Sequence, residues 1–166
     1  MLHIKNLTQV DLDVVETFFA EGLKNVPKAY FSSLDRPLID KALQTPFSYA
    51  AFEEDKLIGV TLATIPGITP NNYGYDLDYS KEQLQQVTQL IAGLVVPTAK
   101  AKGVGTQLIA ENCAAICRAG FQIILGTIHP ENTASIKMVL KNGLVPKKQV
   151  LKYGGLPRII FERFCF

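Results

Sequence analysis

The chain has 166 residues, of which 48% are hydrophobic and 19% are charged, and its formal net charge is +2. This composition is typical of one globular domain, here expected over 1–166, and excludes a disordered chain. No basic stretch followed by an apolar segment opens the sequence, and no apolar run is long enough to cross a bilayer, so we expect a cytoplasmic protein without a membrane partner.

The first elements are a strand and a helix. Alternating apolar and polar residues predict a strand over His3–Leu7. Thr8–Asp11 has the pattern of a capping box and begins a predicted helix that continues to about Lys24. The side chains expected to face the core from this helix are Val14, Phe18 and Phe19.

A hairpin and a polar segment follow. A second helical stretch is predicted near Leu34–Leu43, and two strands are predicted over Ser48–Phe52 and Leu57–Thr64, joined by a polar turn. The stretch Pro66–Glu82 is rich in Pro, Gly, Asn and Tyr, which predicts a loop.

A glycine-containing turn joins the next strand and helix. The predicted strand Leu90–Val96 ends at this basic turn, and helical spacing follows over Gly103–Gly120. The first N–H groups of such a helix have no partners, and its dipole is positive there, so this end binds anions. The turn therefore predicts a diphosphate site, with an ordinary strand-to-helix turn as the alternative. Its residues are Lys100, Lys102, Gly103, Val104, Gly105 and Thr106.

The remaining elements alternate and then end in a second hairpin. A strand is predicted over Gln122–Thr127 and a helix over Thr133–Lys141. Two final strands are predicted over Val145–Tyr153 and Arg158–Phe164, around a turn that contains two glycines.

Two segments together resemble the GNAT N-acetyltransferases. The turn lacks the P-loop pattern and the third glycine of the dinucleotide fingerprint. What remains is basic-x-x-Gly-x-Gly, which is similar to the family's acetyl-CoA signature, with Lys100 in the place usually taken by Arg or Gln. The segment 129–144 resembles the family's Asn-x-x-Ala/Ser-Ile-x-x-Tyr-x-x-x-Gly-Phe. The matching positions are Asn132, Ser135, Ile136, Gly143 and Leu144.

This resemblance implies a fold and a co-substrate. The fold is α/β, with a central, mostly antiparallel mixed sheet, parallel strands 4 and 5 that splay apart, and helices on both faces. The co-substrate is acetyl-CoA, without a metal, and its pantetheine arm would pair with the backbone of strand 4. The implied cofactor-binding residues are Gly93, Leu94, Val95, Lys100, Lys102, Gly103, Val104, Gly105, Thr106, Asn132 and Ser135.

The catalytic groups depart from the family pattern. The usual tyrosine acid falls at Val139, which has no proton to give, and a common glutamate base falls at Thr127. His129 follows the second splayed strand and either faces the thioester or caps the turn before Pro130. The other candidates lie in the polar segment, where they line the substrate mouth or form a surface loop or dimer contact. They are Tyr73, Tyr75, Asp76, Asp78 and Tyr79.

The charges are unevenly divided along the chain. From Pro97 onward there are ten Lys and Arg against three acidic residues, and before it seven against twelve. The basic part suits a pyrophosphate and a 3′-phosphate, whereas the acidic part, with Asp76 and Asp78, would attract a cationic amine. The positive residues are scattered and not interleaved with aromatics, so we expect no nucleic-acid partner.

The three cysteines do not form a recognisable disulfide or metal-binding pattern. Cys113 and Cys117 lie one turn apart on the core side of a predicted helix, and Cys165 lies near the end of the chain. Because no second pair of ligands is in sight, buried intracellular thiols are expected here in preference to a metal site or a disulfide.

Two functions remain open on this basis. One is an N-acetyltransferase in which a primary amine of a small molecule or peptide attacks acetyl-CoA directly. The other is a non-catalytic CoA-binding regulatory or association domain of the same fold, favoured by the valine at position 139. A homodimer is an option in either case.

Overall fold

A computed structural model describes residues 1–31 and 34–166. Within them, seven strands form one sheet in the order β1-β2-β3-β4-β5-β7-β6. The strands are β1 Leu2–Asn6, β2 Tyr49–Glu53, β3 Lys56–Thr64, β4 Val87–Val95, β5 Ile123–Ile128, β6 Val145–Lys152 and β7 Leu156–Phe164. The helices are α1 Leu12–Gly22, α2 Arg36–Leu43, α3 Lys81–Leu84, α4 Val104–Arg118 and α5 Thr133–Lys141. Short 3-10 turns cover Gln9–Asp11, Leu23–Asn25, Lys28–Tyr30, Tyr73–Leu77 and Pro97–Lys102.

The centre of the sheet opens between β4 and β5. These two strands are parallel, and they pair only over 87–90 and 123–126, whereas β4 continues to Val95. The pairing of β3 with β4 shifts register at the same place, because Leu62 faces Ala92 while Ala63 faces Leu90. This irregularity leaves Ile91 as an extra residue, and such a bulge bends its strand. The predicted splay of strands 4 and 5 is confirmed.

Helices cover both faces of the sheet. Val60 and Leu62 of β3 pack in one cluster with residues of α1 and α2. Ala63 lies in a different cluster, with residues of α4 and α5. Because neighbouring side chains of a strand point to opposite faces, the two helix pairs lie on opposite sides of the sheet. The predicted fold class, with helices on both faces of a mixed sheet, is confirmed.

The two edge strands of the sheet are β1 and β6. β6 is exposed along most of its length and carries Pro146, Lys147 and Lys148 in succession.

The first helix is rotated relative to the sequence prediction. Val14 is 57% exposed, so its predicted place in the core is wrong, and Val15 is fully buried instead. At about 100° per residue, Val15 lies between Phe18 and Phe19 around the helix axis, whereas Val14 lies beyond Phe18, outside the buried face. Phe18 and Phe19 do pack in the core.

The segment 66–82 is more ordered than the predicted loop. It contains the 3-10 turn Tyr73–Leu77 and begins α3. Asn72 is 1% exposed, and its side-chain amide donates to the carbonyls of Gly67 and Leu84, at 2.9 and 3.0 Å. For Tyr73, which is 8% exposed, the surface-loop alternative is therefore wrong.

Two cysteines form a bond that the sequence did not predict. Cys117 and Cys165 are joined by a disulfide across 48 residues, and Cys113 is free and buried. The expectation of three thiols is therefore wrong. The backbone N–H of Cys165 donates to the carbonyl of Gln122 at 2.9 Å, so the pairing of β7 with β5 brings the end of the chain to the last turn of α4.

Across the described residues, no helix combines the length and the apolar character needed to span a membrane. Nor does this part of the chain bring together three His, Cys, Asp or Glu residues that could hold a metal ion.

Candidate functional site

A cleft of about 950 Å³ lies where β4 and β5 diverge. On one side of the sheet it is lined by Leu38 and Lys41 of α2, and on the other by Thr106 of α4 and Met138 of α5. The cleft therefore passes through the gap in the sheet and connects its two faces.

The α4 end of the cleft is suited to an anion. Gly103 precedes the helix with φ +73°, a left-handed conformation that glycine adopts without strain. The N–H of Gln107 makes an early intrahelical bond, to the carbonyl of Gly103 at 3.1 Å. The N–H groups that come before it have no acceptor within the helix. Three lysines line this part of the cleft, Lys100, Lys137 and Lys141.

Most of the residues implied by the resemblance line this cleft. They are Gly93, Leu94, Val95, Lys100, Gly103, Gly105, Thr106, Asn132 and Ser135. The other two residues, Lys102 and Val104, do not line it. Lys102 pairs with Glu53 at 2.9 Å, and Val104 is 1% exposed within the core.

Gly105 has a packing role that the sequence did not show. A Cβ at this position would lie 2.1 Å from the sulfur of Met138. The missing side chain therefore allows α4 and α5 to approach each other closely. A bulky substitution at Gly105 would disturb this helix contact as well as any phosphate bound nearby.

Asn132 caps α5 and lines the cleft at the same time. Its side-chain oxygen accepts from the N–H of Ser135 at 3.4 Å. The cap uses only the oxygen of the amide, so the nitrogen is available to a ligand. The two roles that the sequence left as alternatives thus involve different atoms.

The substitution Asn132→Ser is expected to separate these roles. Serine is as good an N-cap as asparagine, so stability should be kept, whereas loss of the amide nitrogen should weaken coenzyme A binding about tenfold. Asn132→Ala should lose both the helix cap and the amide nitrogen, so it should bind coenzyme A more weakly and be less stable by about 1 kcal/mol. Calorimetric titration measures the affinity of both variants for coenzyme A, and thermal unfolding measures their stability. If the serine variant binds as tightly as the unchanged chain, Asn132 is only a cap.

Three hydroxyl groups meet at the other end of the cleft. The Tyr153 hydroxyl donates to that of Tyr73 at 3.0 Å and lies 3.2 Å from the hydroxyl of Thr127. All three residues line the cleft. Burial raises the pKa of Tyr73 above its usual range.

Gln89 holds the segment that carries Tyr73 against β4. Its side-chain oxygen accepts from the N–H of Tyr73 at 2.6 Å, and its nitrogen donates to the carbonyl of Asn71 at 3.2 Å. Gln89 is 2% exposed, so these bonds are shielded from water. This amide holds the backbone at Tyr73 against β4, next to the gap in the sheet.

The other catalytic candidates do not line the cleft. His129 is 8% exposed, and its Nδ1 accepts from the N–H of Glu131 at 3.1 Å, as expected of a residue that caps the turn. Its ring lies 5.1 Å from that of Tyr30. Asp78 is exposed, and Tyr75 is 48% exposed.

Two further candidates already have charged partners. The carboxylate of Asp76 pairs with Lys152, and its carbonyl accepts from Lys148 at 3.1 Å. The Tyr79 hydroxyl donates to the buried carboxylate of Glu162. Burial, together with this carboxylate, raises the pKa of Tyr79.

Several cleft residues were missed by sequence reasoning. Lys137 and Lys141 are four residues apart and so share a face of α5, a signal that the sequence did contain. Tyr153 and Arg158 gave no signal, because they are brought to the cleft by the β6–β7 hairpin. Val139, at the family's acid position, is 6% exposed and packs in the core.

No known sequence family matches the chain, and no curated protein matches it either. Solved structures do match over almost the whole chain. A ribosomal-protein-alanine N-acetyltransferase from Brucella melitensis is 18% identical, with 98% of this chain and 99% of that one covered and a TM-score of 0.72. The chain has the GNAT fold.

Two further structures with the GNAT fold are similar. NAA60 of Arabidopsis thaliana, in complex with acetyl-CoA, is 14% identical at a TM-score of 0.73, with 99% of this chain and 98% of that one covered. An agmatine N-acetyltransferase variant in its apo form is 10% identical at a TM-score of 0.76, with 98% and 99% covered. Identities this low establish the GNAT fold and leave the chemistry to the residues of the cleft.

Proposed function

We propose that this chain is a single-domain N-acetyltransferase that transfers an acetyl group from acetyl-CoA to a primary amine of a small molecule or peptide. One observation carries the proposal. The cleft joins a helix end that is suited to an anion to a cluster of hydroxyl groups, through the gap between β4 and β5. That NAA60 was solved with acetyl-CoA, and that another similar structure is an agmatine N-acetyltransferase, supports the proposal.

The residues of the cleft fit coenzyme A. The free N–H groups at the start of α4, with Lys100, Lys137 and Lys141, would hold the pyrophosphate and the 3′-phosphate. The edge of β4 over 91–95 has no β5 partner and would pair with the amide groups of the pantetheine arm as an added strand does. Asn132 offers its amide nitrogen nearby.

The hydroxyl cluster suits the proton transfers of this reaction. Acetyl-CoA supplies the thioester when bound. The amine loses one proton as the amide bond forms, and the departing thiolate gains one. Tyr153 and Tyr73 are the two phenol hydroxyls of this cluster, and we assign to them the proton that the thiolate gains. Water in the open cleft would take the proton of the amine.

Thiol release in the presence of acetyl-CoA and a panel of primary amines tests this function. We expect release that depends on the amine, and mass spectrometry should show a product heavier by one acetyl group. Tyr153→Phe should lower kcat about 100-fold, as expected for loss of a general acid. Tyr75→Phe, which changes an exposed tyrosine outside the cleft, should have no effect.

The alternative is a CoA-binding regulator without catalysis, and the valine at the family's acid position, which has no proton to give, favours it. Coenzyme A binding without acetylation of any amine in the panel would establish this alternative and reject the enzyme.

A further inference from the structure

Arg158 carries a buried charge that has no acidic partner. It lies on β7 opposite Val150 of β6 and is 2% exposed. Its Nη1 donates to the carbonyl of Pro157 at 2.8 Å. Its Nη2 is buried without a partner, and no ion pair joins Arg158 to an acidic side chain anywhere in residues 1–31 and 34–166. A fully buried arginine is almost always paired, so this one requires an explanation.

The guanidinium group lies at the end of the cleft that holds the hydroxyl cluster. We call this the acceptor end, because the amine that accepts the acetyl group would bind there. Arg158 lines the cleft beside Tyr73, Thr127 and Tyr153. Its central carbon lies 5.4 Å from the centre of the Tyr153 ring. Burial lowers the pKa of Arg158, which reflects the cost of holding a positive charge away from water. An anion at this place would repay that cost.

Two acidic groups near the hydroxyl cluster, Asp76 and Glu162, are already engaged with other residues. Asp76 is held by Lys152, and Glu162 is bonded by Tyr79 and lies 3.7 Å from Lys147. Neither carboxylate pairs with Arg158. Glu131 lines the cleft but is exposed and makes no ion pair with Arg158, so the buried charge of Arg158 remains uncompensated among the described residues.

We propose that Arg158 binds a carboxylate of the acceptor, so that the substrate is an amino acid or another primary amine that carries a carboxylate group. This inference rests on the proposed acetyltransferase function. The planar fork of guanidinium matches a carboxylate, and Nη2 is the donor left unused within the protein. With the carboxylate at Arg158, the amine of the same molecule lies among the hydroxyl groups of Tyr73 and Tyr153.

Matched acceptors test this substrate class. Amino acids with α- and ω-amino groups are each compared with the carboxamide of the same acid, and kcat/KM is measured for both. We expect at least a tenfold preference for the acid. In Arg158→Gln that ratio should fall to about one, and Arg158→Lys should restore part of it. Lys148→Gln removes an exposed charge nearby without touching the cleft and should leave the ratio unchanged.

Equal use of acids and amides by the unchanged chain would overturn this inference and leave the acetyltransferase proposal standing. If no amine is acetylated, the proposed function fails. Calorimetric titration of the same acids and amides into the protein with coenzyme A then tests whether Arg158 binds a carboxylate. Binding of acids that Arg158→Gln abolishes would support the carboxylate site, and equal or absent binding would reject it. Arg158→Met fills a similar volume without a charge, so it replaces Arg158→Gln if that variant unfolds.

Discussion

Thr106→Glu is expected to abolish coenzyme A binding without weakening the fold. Thr106 is the third residue of α4, half-buried, and lines the cleft where the free N–H groups begin. A carboxylate here would occupy the place of the phosphate and repel it. The same carboxylate interacts favourably with the helix dipole, by about 0.3–1 kcal/mol, so stability should stay equal or rise. We expect an affinity loss of about 100-fold, equivalent to about 3 kcal/mol, in calorimetric titration.

The matched control for this substitution is Thr106→Val, which keeps the shape of the side chain and adds no charge. It should bind coenzyme A within a few-fold of the unchanged chain. Unchanged affinity in Thr106→Glu would show that the phosphates do not lie at the start of α4. The neighbouring Gly105 is a poorer choice, because a side chain there would displace that of Met138, which also lines the cleft.

Removal of the disulfide should produce the largest loss of stability. The bond between Cys117 and Cys165 closes a loop of 48 residues, and a cross-link of this length restrains the unfolded chain by about 4 kcal/mol. Cys117→Ala combined with Cys165→Ala should therefore lower the free energy of unfolding by 2–4 kcal/mol, measured by urea denaturation.

Reductant provides the control for this measurement. The unchanged chain in dithiothreitol should lose the same free energy, and the double variant should not respond to the reagent. Equal stability of all four samples would mean that the bond contributes nothing. In a reducing cytoplasm, the location expected from the sequence, the two sulfurs would be kept as thiols, and this stabilisation would be absent.

The strands and most helices could be predicted because their signals are local. The hairpin β2–β3, strand β5 and helix α5 lie within a residue or two of their predicted bounds. The place of Val14 was predicted wrongly within a local signal, because Val15 and not Val14 lies between Phe18 and Phe19 around the helix axis. The error about the cysteines came from information outside the segment. The bond between Cys117 and Cys165 depends on strand pairing across the sheet.

The two ends of the cleft also differed in how well the sequence predicted them, again because one signal is local and the other is not. The cofactor end consists largely of one turn and one helix start, which a motif contains in a single stretch of sequence. The acceptor end is assembled from residues that are 31 to 85 positions apart in the chain, such as Tyr73, Thr127 and Arg158. Asp76 was expected to hold a cationic amine because sequence charge does not reveal that Lys152 already neutralises it.

The exposed edge strand limits how copies of this chain can associate. Pro146 has no N–H to donate to a neighbouring strand, and Lys147 and Lys148 would face the same charges on an antiparallel copy. The β6 edge therefore resists sheet-to-sheet polymerisation, the route by which open sheets aggregate. We therefore expect any homodimer of this chain to form through a surface other than β6.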